Sequence, residues 1–227
     1  MEKMVDVLQL EGMEYLVCRP SGYRAGVRYP VVLFLHGAGT RGDDIALLRN
    51  NPFMHEVVDR YADYGFITVA PHCKHGTWFD HFERLRRLTH KLAHAPDTDP
   101  ERLYLVGNSM GGYGTWQLAM SMPEYFAAIL PICGGGMAWN TSQLVNVPVW
   151  AFHGERDIVV SPDESRRMVE ALRARGGDAR LTLYPEAAHD AWTPTYADAE
   201  VFAWLFSKRN RNEIPLTDPY SADSVYG

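Results

Sequence analysis

The sequence predicts an α/β fold, a mostly parallel β-sheet with helices packed on both of its faces. Three observations carry that expectation. Short β-rich runs alternate along the chain with longer stretches of helical pattern, the order that builds βαβ units. Several runs, such as Val31-Val-Leu-Phe-Leu35 and Leu103-Tyr-Leu-Val106, are apolar at every position rather than at alternate ones. A strand covered on both faces requires that pattern. Finally, no repeat, low-complexity tract or Pro/Ser-rich linker divides the 227 residues, a length that suits one large domain or two small ones.

Taken in order, strands are expected at 15–19, 31–35, 66–70, 103–106, 128–132, 149–152 and 181–184, each rich in apolar, β-branched or aromatic residues. Helices are expected around 52–61, 81–94, 112–120, 162–175 and 197–208. The fourth has a marked start: Ser161 offers an N-cap hydroxyl, Pro162 the first helical position and Glu164 a carboxylate three residues after the cap. Gly176-Gly177 supplies its stop. The chain reads as a single domain over 1–227, with a loose polar tail from about Asn210.

Composition narrows the function classes. Hydrophobic residues make up 46% and charged ones 22%, ordinary for a globular protein that folds without disulfides or metal. Twenty-eight acidic residues against 22 basic ones give a net charge of −6, the wrong sign for a protein whose main partner is nucleic acid. The longest apolar runs fall far short of the roughly 20 residues a membrane helix needs. Cys18, Cys73 and Cys133 are odd in number and form no CxxC pair, which argues for a reducing compartment. Charge at Glu2, Lys3 and Asp6 sits where a secretion signal needs apolar residues. A cytoplasmic location is therefore expected.

The chemistry concentrates at predicted strand ends, where α/β sheets place their sites. Leu103-Tyr-Leu-Val-Gly107-Asn-Ser109-Met-Gly111-Gly-Tyr-Gly114 runs from a buried strand through Gly-x-Ser-x-Gly into a small-residue helix. A serine on such a sharp strand-to-helix turn is lifted above the sheet as a nucleophile, with a helix N-terminus aimed at the developing oxyanion. A nucleophilic serine needs a histidine base, and the base needs an orienting carboxylate. Of the nine histidines only His153 and His189 follow Ser109, and only His189 leaves room for an acid at the end of an intervening strand. Glu155, Asp157 and Asp163 compete for the acid role after strand 149–152. Asp157 is favoured because the apolar Ile158-Val159-Val160 that follows is expected to pack its loop against the core.

His36-Gly37-Ala38-Gly39 at the end of strand 31–35 has the form of an oxyanion loop. Its donors are expected to be the amides of Ala38, with Gly39 less favoured, and Met110. The same stretch, Gly37-Ala-Gly39-Thr-Arg-Gly42, matches the dinucleotide fingerprint G-x-G-x-x-G. Its context is poor, since no ribose-binding acid closes the next strand, which ends in Pro71-His72. Trp78, Trp139, Trp192 and, more weakly, Phe79 and Trp116 are candidates to line a substrate pocket, and Arg41 to hold a polar substrate group. Neither His72-Cys73-Lys74-His75 nor His90 with His94 has the carboxylate companion of a zinc site, so no metal and no cofactor is expected.

Together these segments, with Pro131-Ile-Cys-Gly-Gly-Gly136, His153-Gly-Glu-Arg-Asp157 and His189-Asp-Ala-Trp192, resemble the α/β-hydrolase superfamily. More narrowly, they are similar to the single-domain serine esterases and "predicted peptidases" related to polyhydroxybutyrate depolymerases and to feruloyl or acetylxylan esterases. The resemblance implies a Ser109–His189–Asp157 triad, an oxyanion hole at Ala38 and Met110, and a cofactor-free carboxylic-ester hydrolase acting on a small-molecule or polymer-linked ester. A peptidase or amidase using the same triad, and an inactive binding protein on the same fold, are the alternatives. The short stretch 134–148 leaves no room for a sizeable lid. A homo-oligomer formed through the segment after Asn210 stays open.

Overall fold

The all-apolar runs become the centre of an eight-stranded sheet in the computed structural model, which describes residues 4–217. Strands β1 (Met4–Leu10), β2 (Met13–Arg19), β3 (Tyr29–Leu35), β4 (Ile67–Pro71), β5 (Thr98–Asn108), β6 (Ala128–Ile132), β7 (Val149–Gly154) and β8 (Ala179–Tyr184) lie in the order β1-β2-β4-β3-β5-β6-β7-β8. The pairings β1–β2 and β2–β4 are antiparallel. All the others are parallel.

Alternation along β3 explains why every residue of 31–35 is apolar. Val31, Leu33 and Leu35 face a layer containing Leu85 and Leu88 of α2 (Phe82–Ala93), Trp116 of α3 (Met110–Ser121) and Met168 of α4 (Asp163–Arg173). Val32 and Phe34 face the opposite layer, which holds Phe53 and Val57 of a π-helical turn, Tyr196 of α5 (Trp192–Ala197), and Phe202 and Leu205 of α6 (Ala199–Ser207). Each such fully buried side chain is worth about 1.5–3 kcal/mol relative to exposure, and both sheet faces collect that contribution. The remaining helix, α1 (Ala46–Arg49), is a single turn that buries Leu48.

Three departures from expectation have local causes. Strand β1 pairs with β2 through a hairpin whose turn residues, Glu11 and Gly12, both have positive φ (48° and 81°). Tight hairpins usually mark that geometry with Asn-Gly, and a glutamate there hides it. The expected helix at 52–61 is a π-helical turn at Phe53–Val57, with a 3-10 turn at Ala62–Tyr64 after it. The last helix begins earlier than its pattern suggests and is broken at Asp198, whose carboxylate caps α6 by accepting from the Glu200 amide.

The β6–β7 connection holds only a 3-10 segment, Ala138–Leu144, so no lid domain covers the carboxyl edge of the sheet among the described residues. The tail expected from Asn210 starts firmly anchored. Asn210 is buried, its amide donates to Glu101 O at 2.8 Å and its side chain to Glu124 O at 2.6 Å. Residues 218–227 of that tail lie outside the described residues. Among the described residues no helix is long and apolar enough to cross a membrane.

Candidate active site

Close packing of backbone shapes the turn between β5 and α3. A Cβ at Gly107 would run into the carbonyl of Gly111, and one at Gly111 into the carbonyl oxygen of Leu35. Both positions of Gly-x-Ser-x-Gly are thus closed to any side chain. Ser109 between them sits at φ 56°, ψ −119°, a left-handed conformation that costs a non-glycine residue about 1–3 kcal/mol and persists only where the surroundings hold it. Its amide is anchored to Ile132 O at 2.8 Å.

The structure brings together the three residues expected from chain order. Ser109 Oγ donates to His189 Nε2 at 2.8 Å, and His189 Nδ1 donates to Asp157 Oδ2 at 2.7 Å. Because a carboxylate only accepts, Nδ1 carries the proton and Nε2 is left as the acceptor for the serine. His189 comes from the β8–α5 loop, where Trp192 packs edge-on against its ring at 5.3 Å and Cys133 Sγ donates to its main-chain oxygen.

Asp157, on the β7–α4 loop, is 5% exposed. Its Oδ1 accepts from the amides of Val159 and Val160, both at 2.9 Å. Burial pushes its pKa up, but the hydrogen bonds from His189, Val160 and Val159 outweigh burial and hold the carboxyl below its usual range. The reason expected for its placement is therefore corrected. Ile158 is 96% and Val159 69% exposed, so backbone amides, not apolar packing of this loop, fix the acid. The rival carboxylates Glu155 and Asp163 point to Arg166 on the surface.

A second histidine, His153, approaches the same carboxylate and was passed over in the sequence because it lies before the acid. Its Nε2 is 3.2 Å from Asp157 Oδ2 and 3.0 Å from Val160 O. Both are acceptors, so Nε2 carries the proton. Its Nδ1 faces Ser165 Oγ at 2.7 Å. Burial lowers the pKa of His153, which keeps it neutral. Four donors thus surround the Asp157 carboxylate.

The turn after β3 carries the segment expected to form an oxyanion loop. Ala38 opens a 3-10 turn, Ala38–Thr40, and Met110 opens α3. The first amides of a helix have no acceptor within it, which is what the expected oxyanion role requires of both. Buried His36 braces this loop: Nδ1 donates to Gly37 O at 2.8 Å, Nε2 accepts from the Cys73 amide at 3.0 Å, and Trp78 Nε1 donates to His36 O at 2.9 Å. Burial lowers the pKa of His36 to about 4.

Around Ser109 opens a cavity of about 420 Å³, bounded by Gly37–Thr40 and by Asn51, Pro52, Asn108, Val159, Trp192 and Tyr196. Of the aromatic candidates only Trp192 lines it. Trp78 is a core residue, 1% exposed and committed to His36, while Trp139 is 71% exposed on the β6–β7 connection, away from the cavity wall. Arg41 is also corrected: it donates to Ala38 O and Gly76 O, each at 3.1 Å, and so ties the loop rather than facing substrate. The G-x-G-x-x-G stretch contains this 3-10 turn, and the next helix, α1, begins only at Ala46.

Cys133, His153 and Asp157 bring potential metal-ligand atoms within 4.8 Å of one another. Their chemistry does not fit an ion. The Cys133 Sγ already donates to His189 O, and the His153 and Asp157 atoms already serve each other. Burial pushes the Cys73 thiol up to about 11.

Comparisons with known proteins bear on the fold and the family. The solved structure of a thermostable esterase superposes with a TM-score of 0.79 at 31% identity, covering 91% of this chain and 63% of that one. A ferulic acid esterase structure shares the fold at 16% identity and TM-score 0.67, covering 90% of this chain and 98% of that one. The uncharacterized peptidase YuxL of Bacillus subtilis (strain 168) is 21% identical over 219 residues, covering 76% of this chain but 32% of its own length. The chain thus spans less than two thirds of the esterase and about a third of the peptidase. The model of the dienelactone hydrolase family matches residues 21–203, and with its α/β-hydrolase architecture the chain belongs to that family.

Proposed function

We propose that this chain is a cofactor-free serine hydrolase that cleaves carboxylic esters through an acyl-enzyme intermediate. The observation that carries the reading is the unbroken hydrogen-bond line from Ser109 Oγ through His189 to Asp157 at 2.8 and 2.7 Å, beside a cavity that Ser109, His189 and Ala38 line. His189 Nε2 takes the Ser109 proton as Oγ attacks the acyl carbon. Asp157 holds the imidazole tautomer and stabilises its charged form. The oxyanion rests on the amides of Ala38 and Met110. The imidazolium then returns its proton to the departing alcohol, and water deacylates the serine by the same steps. Similarity to a 31%-identical esterase supports the ester reading over an amide one, whereas the peptidase relative is more distant and matches over a smaller share of its length.

A fluorophosphonate probe tests the reading directly. Stoichiometric labelling located at Ser109 by mass spectrometry is expected, with loss of labelling and roughly 10⁴-fold or greater loss of ester turnover in Ser109→Ala. Labelling elsewhere, or near-normal turnover in that variant, rejects it.

A further inference from the structure

We propose that Val159 is a specificity-determining residue which, with Trp192, selects esters whose alcohol portion is neutral and apolar. The inference rests on the ester-hydrolase reading above and adds a substrate class to it. The departing alcohol oxygen has to lie within reach of His189 Nε2 to collect its proton. Two walls of the cavity are carried by the loops of His189 and Asp157. One is Trp192, whose ring meets His189 edge-on at 5.3 Å, and the other is Val159, whose amide donates to Asp157 Oδ1 at 2.9 Å. The portion of the ester that meets them is therefore the alcohol.

Nothing in the fold asks for an apolar side chain at 159. The turn is held by the amides of Val159 and Val160 on the Asp157 carboxylate, a bond that any residue with a main-chain N–H supplies. The valine itself is 69% exposed, so most of its burial is gained only when a ligand covers it. A single exposed apolar side chain is ordinary on a surface, but this one lines the cavity of about 420 Å³ that holds the reactive serine. Exposed Pro52 and half-buried Trp192 extend the same apolar lining. The cavity also holds no counter-charge, for among the described residues no lysine, arginine, aspartate or glutamate bounds it. Asn51 is committed to the loop, its Nδ2 donating to Thr40 Oγ1 at 2.9 Å and its Oδ1 accepting from the Phe53 amide at 3.0 Å. The Tyr196 hydroxyl and Asn108 Oδ1 have no surface open to the cavity. An ionised substituent entering it sheds water without a partner, whereas a hydrocarbon gains with each methylene covered.

The experiment measures kcat/KM for methyl acetate, hexyl acetate, anionic 6-acetoxyhexanoate and methyl hexanoate. The wild type is expected to favour hexyl acetate over methyl acetate, and over 6-acetoxyhexanoate, by about tenfold or more each. Val159→Thr keeps the branched shape but replaces a methyl by a hydroxyl, and should cut the hexyl-to-methyl acetate ratio by about threefold or more. It should leave the ratio of methyl hexanoate to methyl acetate, which reads the acyl side, within about 1.5-fold. Val159→Lys offers a counter-charge and should narrow the gap between hexyl acetate and 6-acetoxyhexanoate by about threefold or more. Ile158→Lys puts the same charge one residue along the turn and outside the cavity, and at physiological ionic strength should move that gap by about 1.5-fold at most. Each ratio is internal to one variant, so a general loss through the Asp157 loop cancels. A wild type indifferent to the alcohol, ratios untouched by both Val159 variants, a response confined to the acyl pair, or an equal response to lysine at 158 overturns the proposal while the hydrolase reading stands. No turnover of any of the four esters, with no fluorophosphonate labelling of Ser109, overturns that reading and the proposal with it.

Discussion

At the scale of single residues, the Asp157 carboxylate shows how donors on all sides specify one chemical state. Two amides hold Oδ1, and two imidazole N–H groups approach Oδ2. In Asp157→Asn the amides of Val159 and Val160 keep the carboxamide oxygen, which turns its NH₂ toward His189 Nδ1. Donor would then meet donor. His189 is forced to accept at Nδ1 and carry its proton on Nε2, where it can no longer take the one from Ser109. The expected loss in kcat is on the order of 10⁴, with Ser109 and His189 still in place. Glu155→Gln, at a surface carboxylate paired with Arg166, is the control and should change kcat by about twofold at most. Comparable damage from the two variants would mean that the acid has been misassigned.

At the scale of elements, legibility followed how strictly the backbone restricts residue type. The β5–Ser109–α3 turn was readable because two glycines stand where carbonyls leave no room for a Cβ. The central strands were readable because both their faces are buried. Strand β1 was not, since its turn puts a glutamate where the usual signal is Asn-Gly, and half of it faces solvent. Asp157 was reached by a partly mistaken route, because amide donation leaves no trace in side-chain composition. His36 was missed because it braces its loop through the Cys73 amide, distant in sequence, and His153 because it lies before the acid that it approaches; Asn108 and Tyr196 enter only as walls of the cavity. The strictness itself is testable. Gly111→Ala sets a methyl against the Leu35 carbonyl, backbone against backbone, so α3 must lift from β3. A loss of roughly 3 kcal/mol or more in urea unfolding is expected. Gly39, with open space around its Cβ position and no positive φ, should accept alanine within about 0.5 kcal/mol. Equal costs at the two sites would contradict the packing argument.

At the scale of the whole molecule, the site's supports make folding sensitive to acid. His36 is buried and neutral, its pKa lowered from 6.5 to about 4, and burial lowers His72 and His153 as well. In the unfolded chain all three titrate near the ordinary histidine value, so between that value and the folded one the unfolded state binds more protons. Stability is therefore complete above pH 6.5 and falls as pH drops toward 4, by about 3 kcal/mol from His36 alone. Asp157, whose folded pKa is depressed, extends the loss in the same direction below its unfolded value. The braces of the Ala38–Thr40 turn and of the Asp157 loop are thus the groups that acid recruits to unfold the chain. Urea titrations at steps from pH 7.5 to 4.5 should show a steady decline in unfolding free energy. His36→Gln keeps a donor for Gly37 and an acceptor for the Cys73 amide but cannot take up a proton. It should lower stability at neutral pH and flatten the decline. A wild-type curve level across that range, or an unchanged slope in the variant, would show that His36 is not held neutral by its burial.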